Sequence, residues 1–256
     1  MNNSPFTLID THTHPQIQQY ADDREEVIKR ALDAGIGMIC VGVDLETSQQ
    51  AVELARQYEG IWSSVGLHPN DNLDEVYDEA PYVELARRPK VIAIGEIGLD
   101  YYRTTDESKK EFQRERFEKQ LKLAEQLQKP VIIHCRDAHE DMRKILGLHP
   151  GMKGVIHSFT GTLEDAKWYV GRGFFIGLNG IVTFTRQYDE IVRDIPLDKI
   201  LLETDAPFLT PEPYRGRRNE SGYLPFVAQQ IATIKGMSVD EVAAVTMRNA
   251  EKIFKF

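Results

Sequence analysis

Seven histidines occur in the 256 residues, and their placement is uneven. His12, His14, His68, His134 and His157 each stand at the end of a short apolar run. His12 and His14 are two apart, so in an extended chain both rings point to the same side. Two imidazoles on one face are half of a metal site. Glu96, His134, His157 and Asp205 could complete it, and mixed nitrogen and oxygen donors suit Zn, Mn or a related divalent ion. The set exceeds the needs of one tetrahedral ion and fits two ions bridged by a carboxylate or a water. A lone His-x-His is more often a surface or capping pair; the company of the other donors argues for metal. Glu96 follows Ala93-Ile94-Gly95, surroundings too apolar for an idle carboxylate, with a salt bridge to Arg103 or Arg136 as the competing account. Asp205 precedes Ala206-Pro207, which ends the run and leaves the carboxylate at its tip. Glu203 shares the face of Asp205 by alternation, as a ligand or as an orienter of one. His139 and His149 fall outside this set and are expected as solvated surface residues.

Cationic groups that could hold an anionic substrate form one cluster, Tyr214-Arg215-Gly216-Arg217-Arg218-Asn219-Glu220, after the last apolar run. Guanidinium groups there could grip a phosphodiester through paired hydrogen bonds. Tyr101-Tyr102-Arg103, after Glu96, adds another arginine and aromatic faces on which bases could stack. The plainer reading of Arg217 and Arg218 is solvated loop charge on an acidic protein.

These residues need elements that bring run ends together. Short apolar runs alternate with longer amphipathic ones throughout. Strands are expected at Phe6–Ile9, Met38–Val43, Ile61–Val65, Val91–Ile94, Val131–Ile133, Gly154–Ile156, Phe174–Ile176 and Ile200–Leu202. Helices are expected at Asp23–Ala34, Thr47–Tyr58, around Tyr82–Ala86, at Glu107–Gln128 with Phe112, Arg116, Lys119, Leu123 and Leu127 in it, and near Pro225–Lys235 and Val239–Phe254. Strands apolar enough to be buried on both faces, each followed by a helix, argue for a parallel sheet. The fold expected is a single (β/α)8 TIM barrel spanning residues 1–256, with an open doubly wound sheet as the alternative. In a barrel all eight C-terminal strand ends lie on one rim, where such enzymes hold their catalytic groups.

Composition agrees with an ordinary globular protein: 41% hydrophobic, 28% charged, Lys+Arg 31 against Asp+Glu 40, a net charge of −9. No stretch approaches the roughly 20 apolar residues of a membrane span. Met1 to Pro5 lack a basic region and an apolar signal core, and Cys40 and Cys135 sit in apolar runs, so a reducing, cytoplasmic setting is expected. The negative charge argues against non-specific wrapping of nucleic acid.

Taken as blocks, Asp10-Thr11-His12-Thr13-His14, Gly66-Leu67-His68-Pro69, Gly95-Glu96-Ile97-Gly98-Leu99-Asp100-Tyr101, Pro130-Val131-Ile132-Ile133-His134-Cys135-Arg136, His157-Ser158-Phe159-Thr160-Gly161 and Leu202-Glu203-Thr204-Asp205-Ala206-Pro207 resemble the signatures of the TatD family of metal-dependent deoxyribonucleases. The resemblance runs from Leu8 to Asn249. It implies an amidohydrolase-like barrel with two divalent ions (Zn, Mg or Mn) held by His12, His14, Glu96, His134, His157 and Asp205, Glu96 being shared, and with His68 near the site and implicated in activity. Pro15-Gln16 and Ser221 depart from the usual family residues, and neither removes a donor. The mechanism expected is phosphodiester hydrolysis by a water that two ions activate. Asp205 would act as base, His68 with an arginine of the late loop would steady the developing charge, and Arg103, Arg215, Arg217 and Arg218 would bind substrate. DNA, single-stranded or at its ends, is the expected substrate, with no protein partner evident. A metal hydrolase of a small ester or amide is the first alternative, and a metal-holding binding scaffold the second.

Overall fold

Eight runs rich in Ile, Val and Leu become eight strands: β1 (Leu8–Thr13), β2 (Ile36–Val41), β3 (Ile61–Val65), β4 (Val91–Asp100), β5 (Val131–Arg136), β6 (Gly154–Ile156), β7 (Phe175–Leu178) and β8 (Ile200–Leu202). The computed structural model describes residues 5–70 and 77–256. Between the strands run α1 (Arg24–Asp33), α2 (Leu45–Gln57), α3 (Glu79–Ala86), α4 (Glu107–Leu127), α5 (His139–Gly147), α6 (Leu163–Gly171), α7 (Ile181–Phe184) and α8 (Asp189–Asp194), and α9 (Leu224–Lys235) and α10 (Val239–Phe254) follow. Every strand pairs in parallel with the next, in the order β1 to β8. The result is the expected (β/α)8 barrel. Inside it, Ile9, Ile39, Ala93, Ile132, Val155, Phe175 and Leu201 form an apolar layer. Met247, Ala250, Ile253 and Phe254 of α10 pack against that layer, leaving the opposite, C-terminal rim for chemistry.

The seam between β8 and β1 is made differently from the other junctions. The ladder there shrinks to a bridge between Thr13 and Ala206, and side chains take over. Thr11 Oγ1 donates to Leu202 O at 2.9 Å, and the buried Asp10 carboxylate accepts from Thr204 N at 2.9 Å and Thr204 Oγ1 at 2.5 Å. Burial pushes the Asp10 carboxyl up to about 7, and the Thr204 hydrogen bonds oppose this only in part. Beyond the bridge, Asp205 N donates to His12 O at 2.9 Å and His14 N to Ala206 O at 2.8 Å. The seam thus sets the first and last site residues side by side.

Several expectations shift. β1 starts at Leu8, while β4 and β5 continue to Asp100 and Arg136, so His12, Glu96 and His134 lie within strands rather than after them. Neighbouring strands extend the ladder through these polar residues, with register irregularities between Asp10 and Thr13 and between Ile94 and Ile97. Backbone contact is close here. A Cβ on Gly66 would lie 2.8 Å from the Gly95 carbonyl carbon, and Gly98, at φ 144°, has His134 O where a Cβ would point. His139 and His149 are not the solvated residues expected. His139 Nδ1 lies 3.0 Å from Tyr169 OH, and His149 is buried with Nδ1 2.8 Å from Glu125 Oε1. His139 opens α5 and meets α6, whereas His149 lies in the loop after α5 and meets α4. No helix among the described residues is long and apolar enough to cross a membrane.

Candidate metal centre

The C-terminal rim gathers the six expected donors and His68 around Glu96. Glu96 Oε2 faces His12 Nε2 at 3.3 Å. Glu96 Oε1 faces His134 Nδ1 at 2.9 Å, His157 Nε2 at 3.2 Å and His68 Nε2 at 3.6 Å. Asp205 Oδ1 stands 3.6 Å from His14 Nε2 and 3.8 Å from His12 Nε2. Three groupings bring their donor atoms within 4.8 Å of one another: His12 with His14 and Glu96, His68 with Glu96 and His134, and His12 with His157 and Asp205. Glu96 belongs to two of them. It meets neither Arg103 nor Arg136 in an ion pair; among the described residues its partners and those of Asp205 are imidazoles.

Three of the imidazoles, His14, His157 and His134, are aimed by a neighbour. His14 Nδ1 donates to Val41 O at 2.8 Å, which turns Nε2 toward the site. Glu203 Oε1 lies 3.2 Å from His157 Nδ1 and accepts from Ser158 N at 2.6 Å, so Glu203 works as the orienter of His157. Asp100 Oδ2 stands 3.1 Å from His134 Nε2 and accepts from Asn70 Nδ2 at 2.8 Å. Asp100 is a partner of His134 that strand-end reasoning does not single out, although period-two alternation from Glu96 within β4 points to it. Behind the loop carrying His68, Arg116 of α4 donates to His68 O at 2.7 Å and Pro69 O at 2.9 Å.

The electrostatics fit a cation. Burial pushes the Glu96 carboxyl up, but His157, His68 and His12 outweigh it and hold it well below the ordinary carboxylate range. Asp205 is likewise raised by burial and brought low overall by His14, His157 and His12. Burial lowers His157, yet Glu96 and Glu203 lift it well above its ordinary value, while His14 and His134 rise through Asp205 and through Asp100 with Glu96. Burial, then His157, keeps His12 low. His12 Nε2 and His14 Nε2 face each other at 3.1 Å, and His12 Nδ1 is buried without a partner. Two ring nitrogens converging beside two ionised carboxylates suit a divalent ion, which would satisfy both at once.

The TatD related DNase family model matches residues 9–255. This chain belongs to the TatD family. It is 41% identical over 254 residues to the uncharacterized metal-dependent hydrolase YabD of Bacillus subtilis (strain 168), covering 97% of this chain and 99% of that protein. It is 42% identical over 250 residues to the 3′-5′ ssDNA/RNA exonuclease TatD of Escherichia coli (strain K12), covering 92% of this chain and 94% of that protein. Among solved structures, the TatD homologue YjjV of E. coli K12 superposes with a TM-score of 0.89 at 30% identity, covering 98% of this chain and 99% of that one.

On this TatD-family rim the candidate donors His14, Glu96, His134, His157 and Asp205 floor a cavity of about 500 Å³, whose walls include Arg103, Arg136, Ser158, Thr160, Phe208 and Leu209. Arg215, Arg217 and Arg218 do not line it. Arg218 pairs with Asp23 at 2.5 Å and donates to Gln19 O at 2.7 Å, while Arg215 donates to Thr210 O at 2.9 Å and stacks on Phe184 at 3.8 Å. Arg217 lies 5.8 Å from the centre of the Tyr214 ring. Arg136, two residues after His134, takes a place on the wall that alternation along β5 could have indicated.

Proposed function

We propose that this chain is a divalent-metal-dependent deoxyribonuclease that cleaves phosphodiester bonds at the ends of single strands. The position of Glu96 carries the reading. Its two oxygens face different imidazole groups, so one carboxylate can be shared by two cations held by His12, His14, Glu96, His134, His157 and Asp205. Bound there, Zn, Mg or Mn would supply polarisation of a phosphoryl oxygen and a lowered pKa for a water. The chain's own groups do the rest. Asp205, held ionised by His14, His157 and His12, takes a proton from the attacking water and delivers it toward the leaving oxygen. His68 stands over Glu96 where charge develops on the phosphoryl group. Arg103 and Arg136 on the cavity wall grip the flanking phosphates, while Arg215 and Arg218 act through the late loop they brace. A net charge of −9 offers no long-range attraction to a long duplex, which favours strand ends. The activity named for the E. coli relative supports attack from the 3′ end.

The test is release of nucleotides from 5′-labelled oligonucleotides, single-stranded and duplex, by protein stripped with chelator and reloaded with Mn, Mg or Zn. Stepwise shortening that depends on metal and is faster on single strands is the expected result. Turnover of a small ester with no shortening of any oligonucleotide would assign the same centre to another substrate.

A further inference from the structure

Phe208 is one of five large hydrophobic side chains left exposed among the described residues. It is an aromatic side chain 50% exposed at the mouth of the metal cavity, three residues after Asp205. Its ring centre lies 6.5 Å from that of His14, with the planes at 65°. Solvent exposure of a large apolar ring gains nothing for folding. The backbone presenting it is nevertheless pinned. Phe208 N donates to Asp205 O at 2.8 Å. The buried Asn219 amide donates to Phe208 O at 2.6 Å and to Thr204 O at 2.9 Å. Leu209 holds a left-handed φ of 53°, which fixes the turn immediately after the ring. A rigid turn therefore ties the ring to the carboxylate that serves as base, and Leu209 and Ile181 extend the apolar wall beside it.

Another wall is cationic. Arg136 lines the cavity and its guanidinium stacks at 3.8 Å on Tyr102, itself 59% exposed. The cavity thus offers charged donors on its floor, an arginine on one wall and a bare aromatic face on another. A nucleotide has the matching parts, phosphate for the floor and arginine, base for the ring. We propose that Phe208 is the stacking platform for the unpaired base beside the scissile phosphate, and that this contact selects single strands. The inference rests on the nuclease reading above. A paired end base is already stacked on its neighbour and hydrogen-bonded to its partner, so reaching the ring requires breaking both; a frayed or single-stranded base reaches it freely.

Four variants and two readouts test this: Phe208→Ala and Phe208→Leu remove the aromatic face, while Phe208→Tyr and Phe208→Trp keep it. The first readout is binding of metal-loaded protein to a single-stranded oligonucleotide with 2-aminopurine at its 3′ end and a terminal phosphorothioate to slow cleavage. Wild type, Phe208→Tyr and Phe208→Trp should quench the fluorophore; the Ala and Leu variants should lose the quenching and bind roughly tenfold or more weakly, the usual scale of one base–aromatic stack. The second is steady-state cleavage. Ala and Leu should raise KM for single strands with a smaller change in kcat, narrow the preference over duplex, and match wild type on an oligonucleotide whose terminal residue is abasic. Unchanged quenching and KM in the Ala and Leu variants of an active nuclease would overturn the role of Phe208 and leave the nuclease standing. A metal-loaded wild type that shortens no oligonucleotide overturns both.

Discussion

Glu96 and Asp205 are both buried carboxylates among imidazoles, yet their loss should read differently. Glu96→Ala takes an oxygen donor from two of the three groupings, so metal content should fall at both positions, and His157 should lose one of the two carboxylates that hold its proton. Asp205→Asn keeps an oxygen but removes the base, so metal should largely stay while the rate drops on the order of 10²–10⁴-fold. Elemental analysis beside initial rates at saturating metal separates the two, and full occupancy with near-normal rates in both would remove the two-metal assignment. The donors were legible because imidazole and carboxylate are rare in apolar runs and repeat at run ends. Asp100 was legible by alternation and passed over. Phe208 carried no signal, since an aromatic beside proline reads as core until its exposure is seen. The late arginines drew notice as a cluster, but clustering cannot tell a grip on substrate from the Arg218–Asp23 brace.

Among the elements, strand cores and helix positions followed hydrophobic spacing closely: β3, β6, β8 and α10 have the bounds that periodicity assigned. Strand ends did not, because ladder partners rather than residue preference decide how far β4 and β5 run. The inward face of α4 was the least legible. Its Gln113, Arg116 and Gln120, spaced by three and four, form a buried polar stripe that serves backbone rather than core, whereas Lys119 faces solvent. Gln120 accepts from Leu67 N at 2.8 Å and donates to Leu67 O at 3.0 Å, fixing the residue before His68. Gln113 does the same for Asp100, accepting from its amide at 2.9 Å. Gln120→Leu should leave two buried backbone groups unpaired, at about 1–3 kcal/mol each, lowering Tm and the rate together because His68 loses its footing. Lys119→Ala, at an exposed position of the same helix, should leave the rate unchanged and the stability within about 0.5 kcal/mol. Calorimetry and initial rates on the pair test whether the stripe positions the site.

For the whole molecule, the donors come from β1, β4, β5 and the ends of β6 and β8, so a bound ion would tie the barrel across the β8–β1 seam, where the ladder is thinnest. Metal should therefore raise global stability. Free ion at 100 times its Kd adds about 2.7 kcal/mol, which in a domain of this size moves Tm by roughly 5–10 °C. The shift should depend on pH in a definite direction. Without metal, His157, His14 and His134 have folded pKa values above the ordinary one, so their protonated forms stabilise the fold fully below the unfolded pKa, and that contribution is lost as pH rises through the folded values. Metal needs the same imidazoles neutral, and its binding releases those protons. Raising the pH thus weakens the metal-free protein and strengthens the ion's hold together, whereas lowering it does the reverse. The increase in Tm on adding Mn to chelator-stripped protein should be small near pH 5.5 and grow steadily to pH 8. Thermal scans in matched buffers measure it, and a shift that is absent throughout, or larger in acid, would show that these imidazoles do not hold the ion.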